Sequence, residues 1–225
     1  GIGAVVKTGA NKDGSGAIED TDTDYTTAAQ PVPGSPKYLS VLVAGPRYEL
    51  GGVSIPDGIE ARNLTAGSSS GTVCGETVTF AGWYDDADLQ TPHTGAFVNG
   101  TSYYAKWTCS GVAVVTRPLD FTASTLPVLS EDFGITWDSE STTLTLNGAR
   151  VLIPESANST FAIHLPGGAT VNTIGYERSL VTNEGYFGGY DDCYAISGDG
   201  NLTFTGSARL RVYADVSRAA VSLGI

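Results

Sequence analysis

Apolar and polar residues alternate along much of this chain. Over Ile135 to Ile153, ITWDSESTTLTLNGARVLI, the alternation has the period of two that a half-buried strand requires. Shorter runs read the same way: GIGAVVKTG at the start, YLSVLVAG from Tyr38, Val53 to Ile59, GETVTFAGW and SYYAKWT, with turn-forming residues between them. Three phrases, FAIHL from Phe161, YAISG from Tyr194 and AAVSL from Ala219, each set a small residue before a β-branched one. They start 33 and then 25 residues apart, as coils of a degenerate solenoid would. In GDGNLTFTGSARLRVYA, Leu202, Phe204, Leu210 and Val212 are expected to point one way, with Gly198, Gly200 and Gly206 at corners. A helical turn is expected only at Asp85–Gln90, capped by Asp85 or Asp86. The pattern therefore predicts an all-β chain with minor α. Residues 1–36 read as an extended arm and acidic linker, 37–110 as a small module, 111–134 as a connector rich in Pro and Thr, and 135–225 as a β-helix-like or stacked-strand segment.

Composition narrows the classes of function. At 225 residues, 41% hydrophobic and 16% charged, with 29 Gly and 10 Pro, the chain buries a real core and favours many short strands. A net charge of −12 and a pI near 4.4 repel phosphate backbones and anionic membranes, and no run of Lys or Arg offsets this locally. No nucleic-acid partner and no membrane insertion are expected. Gly stands at position 1 and Met is absent, which implies a processed or excised segment. The chain stops at AAVSLGI, within an expected coil, so further coils or a neighbouring subunit are expected to cover that end. The apolar arm, with Ile2, Val5 and Val6, is a candidate cover that adds itself as a strand to the next molecule and so builds a fibre.

Candidate chemistry is sparse. Cys74, Cys109 and Cys193 have neither CxxC nor zinc spacing, and allow one disulfide at most, with Cys74 and Cys109 the candidate pair because they bracket the aromatic stretch; three unpaired thiols are the alternative. Asp20, Asp22 and Asp24 alternate as calcium ligands do, and Asn11, Asp13 and Ser15 repeat the spacing, although neither stretch has the complete loop with its closing Glu. A solvated acidic turn competes with that reading. Sequons begin at Asn63, Asn99, Asn158 and Asn201 and matter only in a glycosylating host. The two histidines, His93 in a turn and His164 in FAIHL, have no G-x-S-x-G elbow to serve, so no catalytic residue is assigned. Asp85, Asp86 and Asp88 read as a surface turn. In YFGGYDDCY, by contrast, Tyr186, Tyr190 and Tyr194 flank Asp191 and Asp192, placing rings for stacking beside acceptors for hydroxyls. These five are the candidate ligand-binding residues, for a sugar.

Val78 to Thr108 holds seven of the chain's 21 aromatic residues, counting Phe, Trp and Tyr. Phe80, Gly82, Trp83 and Tyr84, followed by Tyr104, Ala105, Lys106, Trp107 and Thr108, resemble the two closing phrases of the Listeria-Bacteroides (internalin B-type) repeat, over about 38–108. The resemblance implies a β-grasp-like module of secreted and wall-anchored bacterial proteins, without catalysis. Phe80, Trp83, Tyr104 and Trp107 are then expected to fill its core, with Tyr84 or Tyr103 the alternative platform for a sugar. Residues 130–225 more loosely resemble secreted carbohydrate-binding right-handed β-helix proteins, through Trp137, Asp138, Ser139, Thr143 to Leu146, Ala195, Ile196 and Asn201 to Gly206. That resemblance implies calcium and acidic-glycan binding. The expected protein is extracellular, at the cell surface or secreted, and acts by adhesion to a glycan or a host or matrix surface and by scaffolding. The alternatives are a fibre subunit joined through its arm and, with less support, a glycan-cleaving enzyme.

Overall fold

The computed structural model describes residues 4–9, 38–43, 45–185, 193–214 and 221–223, with only strand pairing described for 4–9, 38–43 and 222–223. The chain divides into two compact units, Gly1–Arg47 with Thr94–Ser102, and Tyr48–His93 with Tyr103–Ile225. In the first unit β1 (Ala4–Gly9) pairs antiparallel with β2 (Tyr38–Val43), from Ala4 opposite Val43 to Gly9 opposite Tyr38. The expected arm thus contributes one strand, β1, to a two-stranded sheet. β3 (Arg47–Glu49) follows.

The second unit is all-β. Its carboxy-terminal part passes three times, in the same order, through three walls of parallel strands. The first wall holds β10 (Thr143–Asn147), β13 (Thr170–Ile174) and β16 (Thr203–Gly206), with β9 (Ile135–Asp138) antiparallel at its edge. The second holds β11 (Arg150–Ile153), β14 (Ser179–Asn183) and β17 (Leu210–Ala214). The third holds β8 (Leu119–Asp120), β12 (Phe161–Leu165), β15 (Tyr194–Gly198) and β18 (Val221–Leu223). Equivalent residues stack in columns, such as Leu144, Val171 and Phe204, or Val151, Val181 and Val212. The recurring phrases are the third wall, where Ile163 lies opposite Ile196 and Ile196 opposite Val221.

The alternation explains the core. Leu144, Leu146, Val151, Ile153, Ile163, Val171, Val181 and Ile196 are fully buried in one cluster, with Ala162 and Ala195 as the small partners that let the walls approach. Phe204 takes the same inward column but stays 47% exposed, because no described strand lies beyond β16. Buried polar groups tie successive coils together: Ser179 Oγ accepts the Ala149 N–H at 3.1 Å, and Asn183 Nδ2 donates to Ser159 O and Tyr194 O at 3.1 and 3.0 Å.

The expected connector supplies a strand to each of two walls, β8 to the third and one more to the second. β7 (Val112–Val115) pairs with β11 on one side and, antiparallel, with β6 (Ser102–Cys109) on the other; β5 (Glu76–Tyr84) and β4 (Ser70–Val73) extend the sheet as a meander. This sheet is curled. Every residue of β11 and β14 is buried, so Leu152 and Leu180 are covered although they alternate with the solenoid core.

The meander is held by its rings. Phe80, Trp83, Tyr103 and Trp107 are 2%, 8%, 2% and 1% exposed, and Phe80 meets Trp107 edge-on at 5.5 Å and Trp83 at 5.2 Å. Phe80 and Trp83 are three apart, an odd spacing that would place them on opposite faces of a regular strand. A bulge between Phe80 and Gly82 turns both inward, and Gly82, at φ 146°, adopts the backbone angle this needs.

Two expectations change here. Tyr103 fills the core and Tyr104 is half-buried, because Tyr103, Ala105, Trp107 and Cys109 share the inner face of β6. Asp85–Gln90 is a loop and not a helical turn: the Asp86 carboxylate accepts the Gln90 and Thr91 N–H groups at 3.0 and 2.7 Å, which closes the loop on itself. Helical structure among the described residues is confined to three single 3-10 turns, at Ala61–Asn63, Glu131–Phe133 and Glu155–Ala157.

Candidate functional site

The first wall joins the second through short turns that stack coil on coil. Gly148, Arg178 and Arg209 occupy equivalent places in three successive turns, as the pairing of Arg150 with Leu180 and of Ser179 with Leu210 requires. The Ser179 N–H donates to Arg209 O at 2.9 Å, which locks the two outer turns in step. Neighbouring strands lie about 4.8 Å apart, so this register sets two guanidinium-bearing residues side by side.

Arg150 lies beneath them, 7% exposed, and its Nη1 donates to Gly148 O at 2.7 Å, to Ala149 O at 3.2 Å and to Arg178 O. It is therefore a brace for the turns, spent on carbonyls, while Arg178 and Arg209 are exposed. These residues line an open cleft of about 530 Å³ together with Tyr176, Glu177 and Ser207. Tyr176 is wholly exposed.

Charge makes this cleft unusual in its own protein. Three of the chain's 12 Lys and Arg residues meet there with one Glu, on a molecule of net charge −12. The absence of a basic run in the sequence did not reveal it, because Arg150, Arg178 and Arg209 are separated by 28 and 31 residues: Arg178 and Arg209 are one coil apart, and Arg150 lies two residues past the place equivalent to Arg178. That spacing was the readable signal, together with an aromatic in the exposed G-Y-E-R turn.

Compared with known protein families, with curated proteins and with solved structures, the chain matches none of them.

The residues singled out from sequence fare differently. Tyr186, Tyr190, Asp191 and Asp192 lie outside the described residues, as do Asp20, Asp22, Asp24 and Ile2. Tyr194 opens β15, half-buried, its N–H donated to Thr160 O at 2.7 Å. Val5 and Val6 sit in β1, opposite Leu42 and Val41. Among the described residues no group of three or more His, Cys, Asp or Glu side chains is placed to hold a metal ion. The acidic run is used structurally: Asp85 meets His93 Nδ1 at 2.7 Å, Asp86 closes its loop, and Asp88 accepts from Arg117 Nη2 at 2.6 Å.

Cys74 and Cys109 are not joined. Cys74 is the first residue of the two-residue turn between β4 and β5, at φ 48°, and its thiol is hydrogen-bonded to Glu184. Cys109 is buried within the meander, on the face that carries Trp107. Burial first, then the Glu184 carboxylate and the charge of Glu76, hold the Cys74 thiol protonated far above the usual thiol range.

Two results follow. The chain denatured without reductant is expected to take up three alkyl groups in mass spectrometry, and uptake at Cys193 alone would reinstate the disulfide. The folded state holds the Cys74 proton where the unfolded chain releases it, so this group's stability contribution is intact below the ordinary thiol pKa and lost as pH rises beyond it. Unfolding curves between pH 8 and 10 are expected to decline less steeply in Cys74→Ala than in the native chain.

Proposed function

We propose that this chain is an extracellular bacterial binding and scaffolding protein that holds acidic carbohydrate in the arginine and tyrosine cleft. The observation that carries the reading is a fully exposed Tyr176 beside Arg178 and Arg209, on an otherwise acidic molecule. An aromatic face left to water is available to stack on the C–H face of a sugar ring, and a guanidinium fork matches a carboxylate or sulfate with two parallel hydrogen bonds. The negative charge of the rest of the surface discourages binding of polyanions elsewhere.

The meander supports the scaffolding half of the proposal. Its largest rings are spent on packing, as expected of a module that spaces and carries other parts. The resemblance to the Listeria-Bacteroides repeat, and with it the surface location, belongs to the same proposal.

Binding of oligogalacturonate and of a sulfated oligosaccharide, measured by calorimetry at two salt concentrations, tests the site. Arg178→Ala with Arg209→Ala is expected to weaken binding at least tenfold and to flatten its salt dependence. Tyr176→Ala is expected to weaken binding similarly while changing stability by less than about 0.5 kcal/mol, since nothing packs on the ring. Unaltered affinity in both variants would sink the proposal.

A further inference from the structure

On the third wall, Ile163 and Leu165 face the core while His164 is half-buried on the outer side. Register places His164 between Asp120 of β8 and Ser197 of β15, one coil to either side. Ser197 Oγ lies 2.7 Å from His164 Nδ1, and His164 Nε2 lies 3.2 Å from Asp199 Oδ1. The imidazole also rests on the Phe161 ring, with centroids 5.1 Å apart and planes at 31°.

We propose that Ser197 is the nucleophile of an acyl-transfer site, with His164 as its general base and Asp199 orienting the imidazole, acting on short acyl esters carried on a surface-accessible substrate. This goes beyond the binding reading and does not depend on the cleft.

The contacts assign the proton positions. An ionised carboxylate only accepts, so Asp199 draws the N–H to Nε2 and leaves the Nδ1 lone pair for the Ser197 hydroxyl proton. A nucleophile within hydrogen-bond reach of a base that a third group orients is the arrangement this chemistry requires. Asp120 adds negative charge on the other side of the ring. Burial alone would raise its pKa, but hydrogen bonds from the Thr122 side chain and N–H, with the nearby His164, hold it below the usual carboxylate range. The imidazolium formed during attack therefore has a carboxylate on either side. Ser197 is half-buried and Asp199 exposed, so an ester can approach from solvent.

In the first half-reaction Ser197 Oγ bonds to the acyl carbon as its proton passes to His164 Nδ1. The tetrahedral intermediate then expels the alcohol, which takes that proton. Water attacks the acyl-serine in the second half-reaction, again giving a proton to Nδ1, and release of the acid restores Ser197. β15 is paired on both edges, with β12 and β18, so its backbone N–H groups are engaged in ladders and the oxyanion is left to solvent. Turnover about 10² to 10³-fold below that of a site with an oxyanion hole is therefore expected.

The test is labelling of the full chain by a fluorophosphonate probe, located by peptide mass spectrometry, beside hydrolysis of 4-nitrophenyl acetate. An adduct on Ser197 is expected, with labelling and hydrolysis at least tenfold slower in His164→Asn and slowed less in Asp199→Asn. Circular dichroism is expected to show all of these chains folded. No adduct on Ser197 of the native chain, or an undiminished rate in folded His164→Asn, overturns it.

Discussion

Trp107→Ala is expected to lower the free energy of unfolding by about 3 to 5 kcal/mol, the largest loss from any single truncation in the meander. The ring is 1% exposed, and it packs edge-on against Phe80. Its Nε1–H also donates to Leu50 O at 3.0 Å, so truncation removes that hydrogen bond as well as opening a cavity, although Leu50 O keeps the Val53 N–H at 3.3 Å. Through Phe80 the contacts run on to Trp83 and from there to Tyr48, whose ring centroid lies 5.0 Å from that of Trp83. Removing the first member loosens the whole row. Urea unfolding followed by circular dichroism measures the change, and in a chain of this length Tm is expected to fall by roughly 10 °C. A loss below about 1 kcal/mol would mean that the ring is not part of the filling. Tyr176→Ala is the matching control, because it removes a ring of similar size from the surface.

Gly206→Ala is expected to cost about 3 kcal/mol or more, and to do so locally. Gly206 ends β16 at φ 108°, and a Cβ there would lie 2.0 Å from Thr173 O and 2.5 Å from Thr173 N, both backbone atoms of the coil below. Neither side can yield cheaply. Thr173 is 5% exposed, its carbonyl accepts the Ser207 N–H at 2.9 Å, and its hydroxyl donates to Thr205 O and Ala208 O. The methyl group therefore forces apart the join between two coils. Because β16, β17 and β18 form the outermost described coil, the expected result is fast amide exchange over 203–214 and 221–223 while β10 to β12 stay protected. Uniform protection across all three coils would show that the turn accommodates a side chain. The same join positions Arg209, so carbohydrate binding is expected to weaken along with it.

These two sites differ in how far they can be read in advance. The inward role of Trp107 follows from alternation in SYYAKWT, and burial of Phe80 and Trp83 together follows once the glycine between them is recognised as a bulge. With Trp107 inward, the same alternation places Tyr103 beside it and Tyr104, at an odd spacing of three, on the other face, so the expected core place of Tyr104 conflicts with the period of two. Asp86 illustrates another limit. Its capping ability is a property of the side chain, but whether it caps a helix or closes a loop depends on where Thr91 and Gln90 are carried by the strands around them. Burial, the largest single effect, would raise its carboxyl, but the hydrogen bonds that Gln90 and Thr91 donate together hold it below the usual carboxylate range.

The clefts and clusters were the least legible, and for one reason. In a solenoid, residues roughly thirty positions apart become neighbours, so a chemical group is assembled from single residues that look unremarkable in a local window. Arg150, Arg178 and Arg209 each stand alone in the chain, and so do Asp120, His164 and Ser197. By sequence alone, this protein was determined to be strand-rich, acidic, repetitive toward its carboxy-terminal end and provided with rings enough to fill a small sheet, because these follow from side-chain size, charge and a period of two. Only the tertiary structure decided that one sheet serves both the meander and the solenoid, that Cys74 faces Glu184 and not Cys109, and which polar residues share a column, because those depend on register between distant strands, a quantity no local pattern encodes.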